Sequence, residues 1–196
     1  EHTRGKGHEI PAIKALLDTL ALKGCIVTID AIGCQTEIAR KILDRGGDYL
    51  LAVKDNQKDL ADALREFFAD GEPRGFGSLP VSRFQSLEKD HGRIETRQAI
   101  WVADLSWLDK KLREHWPKLA GLGMIERQRE INGAVSTERA YYIGSQGIKS
   151  AESFAKAARD HWGIENSLHW VLDIAFREDD CRVRKDHAPH NFAALR

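Results

Sequence analysis

The sequence predicts an α/β fold in which a sheet is covered by helices, and three observations lead there. Apolar stripes at helical spacing alternate with apolar runs of strand length through the first third of the chain, which argues for a largely parallel sheet. Polar residues follow each short run directly, Asp30 after the first and Lys54–Gln57 after the second, and functional groups of such sheets collect at the carboxyl ends of strands. From about Gly71 the pattern becomes mostly β, with a strong hairpin signal at Asn132-Gly133.

Taken in order, Ile13, Leu16, Leu17 and Leu20 fall on one helical stripe, with Pro11 suited to its first turn and Gly24 to its exit. Cys25-Ile26-Val27-Thr28-Ile29 reads as a strand ending at Asp30. A second helix is expected from Thr36 to Arg45, stopped by Gly46-Gly47, and a second strand from Tyr49 to Val53. Asn56 is placed to cap a third helix whose inner face is Leu60, Leu64 and Phe67. Gly71, Pro73, Gly75, Gly77 and Pro80 mark a loop. Arg93–Val102, Met124–Ile131 and Ala134–Ile143 read as strands, Leu105–Leu119 as a helix, and Ser150 as the N-cap of a long helix reaching about Asp173. The divisions expected are 1–78, a β-rich insertion over 79–145, and a helical end over 146–196.

Charge excludes little. The chain has 196 residues with 30 basic and 30 acidic side chains, so contact with nucleic acid must come from local patches rather than bulk charge. No apolar run approaches a membrane span and nothing resembles a signal peptide. Three cysteines leave one thiol over under any pairing and form no CxxC, which fits a reduced, cytoplasmic protein. The opening at Glu1 without methionine, and the stop at Leu195-Arg196, read as an interior segment of a longer protein.

Asp30 is held by its strand at the sheet's end, where a hard cation would find a rigid oxygen ligand. The plainer reading is an Asp capping the next turn. His161, Glu165 and His169 are spaced four apart and share a helix face, with Trp162, Asn166 and Trp170 beside them. Glu165 is a metal ligand or general base on one reading. A His-Glu-His zinc site, or a core helix with inward tryptophans, are the others. Arg182, Arg184 and Lys185 could track a phosphate backbone, or belong to a solvated turn. Arg93, Glu95 and Arg97, after His91-Gly92, share a strand face and suit either DNA contact or cross-strand ion pairs.

Five colinear blocks, together spanning nearly the whole chain, resemble the DDE insertion-sequence transposases, H-repeat-associated branch. They are Glu9–Ile13, Ile26–Gln35, Gly47–Leu50 with Val53–Gln57, His91–Glu95, and His161–Trp170 with Leu172-Asp173 and Glu178-Asp179 beyond. The resemblance implies an RNase H-like mixed sheet flanked by helices, with a mostly β insertion before the last catalytic helix. It implies two aspartates and a glutamate holding two Mg²⁺ (or Mn²⁺) ions, with Asp30 the second carboxylate and Glu165 the third.

By the same resemblance the first aspartate lies on a strand before the Glu9–Ile13 block, so this segment alone would be inactive. The partner implied is DNA, both transposon ends and target, with a homodimer left open. Lys54, Gln57, His91, Arg93, His161, Asn166, His169, Arg182, Arg184 and Lys185 are the expected DNA contacts. One departure stands out: the pattern Y-x2-R-x3-E-x6-K falls here on Ala158, His161 and Leu172. The rival expectations are a remnant that binds DNA or a partner without catalysis, and an unrelated metallo-nuclease or hydrolase.

Overall fold

The computed structural model describes residues 9–90, 93–131, 133–164, and beyond these 171, 174–175, 177, 180, 182–183, 185, 187–188 and 191. Its contacts divide the chain into two units, Glu1–Ala157 and Ala158–Arg196.

The first unit begins with helix α1 (Glu9–Thr19), strand β1 (Ile26–Ile29), helix α2 (Thr36–Asp44), strand β2 (Asp48–Val53) and helix α3 (Lys58–Gly71). Single turns of 3-10 helix over Ala31–Gly33 and Asp55–Gln57 follow the two strands. Strands β3 (Val81–Asp90) and β4 (Arg93–Val102), the short helix α4 (Lys110–His115), strands β5 (Gly121–Ile131) and β6 (Ala134–Gly144) and helix α5 (Ala151–Ile164) complete the order.

All six strands lie in one sheet, ordered β1-β2-β6-β5-β4-β3. Only β1 and β2 are parallel; every other neighbouring pair is antiparallel. The expectation of a largely parallel sheet is therefore corrected to a mixed, mostly antiparallel one. The reason is connection length. Helix α2 carries the chain back between β1 and β2, whereas β5 and β6 meet across two residues, with Ile131 opposite Ala134 and Gly133 at φ +80°. The β-rich segment also joins the first strands directly, since β6 pairs with β2 from Leu50–Gly144 to Val53–Tyr141.

Strand alternation gives the sheet two distinct faces. On one, Tyr49, Leu51, Val53, Ile100, Val102, Leu122, Met124 and Ile143 share a core with Ile38 and Ile42 of α2 and Leu60, Leu64 and Phe68 of α3. Phe68, not the expected Phe67, is fully buried; Phe67 stacks on Trp107, ring centroids 3.6 Å apart. On the other face, Phe154 of α5 packs against Trp101 and Tyr142, each 5.2 Å away between centroids. Gly123 makes room for it, because a Cβ there would lie 2.6 Å from the Phe154 ring.

Two further expectations are corrected. Leu105–Leu119 is not one helix: Asp109 caps α4, accepting from the amides of Lys111 and Leu112, and only six residues are helical. Asn56 does not cap α3, because its amide is used elsewhere, as described below. Ser150 does cap α5. Its hydroxyl accepts from the Ser153 amide at 3.2 Å while Ser153 Oγ accepts from the Ser150 amide at 3.0 Å, a reciprocal cap.

Candidate active site at the carboxyl ends of the parallel strands

Parallel pairing brings the carboxyl ends of β1 and β2 side by side, with Ile29 opposite Leu51. Asp30 follows β1 in extended conformation (φ −68°, ψ 179°), exposed, its carbonyl accepting from Gly33 at 3.1 Å. Its side chain makes no cap hydrogen bond, so the turn-capping reading finds no support. Among the described residues the carboxylate has no hydrogen-bond or ion-pair partner and stays available to a ligand. Alternation assigns position 30 to the face of Thr28 and Leu50, the face on which Phe154 packs.

The loop after β2 holds the loop after β1. Asn56 Nδ2 donates to the Ala31 carbonyl at 2.6 Å, and Gln57 Nε2 to the Cys34 carbonyl at 2.8 Å. Residues after the second strand thus fix the backbone that carries Asp30. The bridging role of Asn56 was not foreseen from the sequence; its signal was two adjacent amides ending a strand that neighbours the first. Asp55 is tied to Arg65 at 2.6 Å, and its hydrogen bond raises the guanidinium pKa above the ordinary value. Lys54 stays exposed without an ion-pair partner among the described residues. Cys34 is fully buried beneath this loop, and desolvation pushes its thiol up to about 12.

Of the other expected residues, His161 lies near the end of α5, edge-to-face with the exposed Trp162. Arg182 and Lys185 are exposed, outside helix and strand. Glu165, Asn166, His169, Arg184 and His91 lie outside the described residues, as does Cys181. Arg93 opens β4 opposite Asp90 and Ile131. Farther along that strand Glu95, 3% exposed, takes Arg97, Arg127 Nε at 3.5 Å and Arg129 Nε at 3.0 Å. Glu95 thus pairs across strands with Arg127 and Arg129 of β5, and Arg97 with Glu88 of β3 at 3.2 Å. Among the described residues no group of three His, Cys, Asp or Glu side chains is gathered to hold a metal, and no helix is long and apolar enough to cross a membrane.

The family model described as "Transposase DDE domain" matches residues 1–196. The chain belongs to that family. Curated relatives include "Putative protein YbfL" and "H repeat-associated putative transposase YhhI", both of Escherichia coli strain K12. Each is 40% identical over 99% of this chain and 51% of the relative. "Putative transposase YncI" of Escherichia coli O157:H7 is 39% identical over 99% of this chain and 49% of its own length. The chain therefore spans about half the length of these relatives. No solved structure matches it.

Proposed function

We propose that this transposase-family chain is part of a catalytic domain that cleaves DNA strands and joins transposon ends to target DNA. Asp30 and Glu165 would serve as two of its three metal-holding carboxylates, within an RNase H-like arrangement. One observation carries the reading: an exposed, unpartnered carboxylate sits at a strand tip whose backbone is pinned by two amide side chains. Pinning of this kind supplies the rigidity that Mg²⁺ demands of its few protein ligands, and the free oxygens fit such an ion. The helix preceding Glu165 packs its first turns on the face to which Asp30 belongs.

When bound, a pair of divalent ions (Mg²⁺ or Mn²⁺) supplies activation of the attacking oxygen and stabilisation of the leaving one. The chain's own residues place and restrain. Asp30 and Glu165 would each supply a carboxylate to hold the ions, and Lys54, exposed at the carboxyl end of β2, would attract the phosphate backbone. His161, Asn166 and His169 would contact the same strand.

The test uses the full-length parent protein on a duplex carrying the element's ends. Asp30→Asn and Glu165→Ala each abolish Mg²⁺-dependent nicking while duplex binding persists, and Mn²⁺ no longer raises the melting temperature of either variant. Undiminished nicking by either one overturns its assigned role; wild-type binding without any nicking favours a non-catalytic remnant.

A further inference from the structure

A polar recess opens beside the loops that Asn56 and Gln57 join. It has a volume of about 340 Å³ and is formed where the start of α3 meets α4 and Trp116. Asn56 and Gln57, the two residues that bridge to the loop carrying Asp30, also line it. Lys58, Lys111 and His115 contribute its basic groups, against the single carboxylate of Asp59. Lys58, Lys111 and His115 are all exposed, and none has an ion-pair partner among the described residues. Lys110 next door, by contrast, faces Glu114 at 3.8 Å.

Two lysines without an ion-pair partner among the described residues, with a histidine beside them, face a single carboxylate around one cavity, in a chain of formal net charge zero. Surface cations of a neutral protein ordinarily intersperse with anions, so a local excess lining a concave surface marks an anion's place. Trp116, 2% exposed, gives the recess a rigid apolar floor. Gln57, at the N-cap position of α3, spends its side chain on the Cys34 carbonyl and makes no cap hydrogen bond to that helix.

We propose that this recess takes a phosphodiester of DNA, seated by Lys58 and Lys111 with His115 at its side. The assignment rests on the transposase reading given above and extends it to residues on α3 and α4. Because Asn56 and Gln57 belong both to the recess and to the loop they pin, a strand held here is held in fixed relation to Asp30.

The test measures binding of the 196-residue chain to a fluorescent duplex of arbitrary sequence across a salt series. Lys58→Ala and Lys111→Ala, made singly, each weaken binding about tenfold, as expected for one charge-assisted hydrogen bond. Each also lowers the slope of log K against log salt by about 0.9, and the pair lowers it by about 1.8. Lys111→Arg restores both quantities. Lys149→Ala, an exposed lysine in the turn that precedes α5, leaves both unchanged. Should one variant fail to fold, the other decides alone.

Unchanged affinity and slope in a folded variant overturn the recess while leaving the transposase reading intact. No duplex binding by the wild-type chain counts against both. A backbone amide of His115 that shifts with inorganic phosphate but not with duplex makes this a small-anion pocket and overturns the DNA assignment.

Discussion

At the scale of single residues, the groups near Asp30 divide by solvation. Cys34 is buried with no charged partner, so its ionised form is strongly disfavoured and its pKa moves from 9.0 up to about 12. Tyr49, buried with its hydroxyl donating to the Pro117 carbonyl at 3.0 Å, moves upward for the same reason. The unfolded chain loses these protons first as pH rises, so the stability tied to the neutral thiol is fully present below pH 9. It is lost as pH climbs toward about 12, at roughly 1.4 kcal/mol per pH unit for one group. Alkaline unfolding followed by circular dichroism should therefore steepen above pH 9, and Cys34→Ala should flatten that limb. An equally steep limb in the variant would show that Cys34 does not control it. None of this was legible in the sequence, where Cys34 appears only as an odd thiol after Ile32-Gly33.

At the scale of elements, helices with an unambiguous stripe were legible and short ones were not. Thr36–Asp44 follows from Ile38, Ala39 and Ile42, all fully buried, and Gly46-Gly47 then ends it. Strand β3 went unread because its exposed half alternates polar residues with a lone Leu87 that is 58% exposed, leaving no apolar face to detect. Leu105–Leu119 misled for the opposite reason: its apolar residues serve a turn and an aromatic stack, not a helix stripe. Asn56 shows the same limit in miniature, since capping is a local signal and its real partner, Ala31, lies 25 positions away. Asn56→Ala should lower the urea midpoint by an amount equal to about 1 kcal/mol, with an unchanged m-value. No change in midpoint would mean that the loop after β1 holds itself.

At the scale of the whole chain, the decisive feature is the place of β6. Were residues 79–145 a self-contained insertion, their strands would form their own sheet and leave β1 and β2 to pair elsewhere. Instead β6 bonds β2 on one side and β5 on the other, so residues 1–78 contribute only a two-stranded parallel pair to the sheet. Two strands alone are marginal, and parallel pairs are normally buried on both faces. Leu51, Val53 and Phe68 owe their burial in part to Tyr141, Ile143 and their neighbours. An isolated segment of residues 1–78 should consequently show no cooperative melting and poor amide dispersion in its NMR spectrum. Mixing it with residues 79–196 should restore both, because the missing β2–β6 ladder is then available in trans. A cooperative transition from residues 1–78 alone would mean that the change of pattern near residue 78 is also a boundary of folding. Asp30's position would then depend on β1, β2 and their helices only.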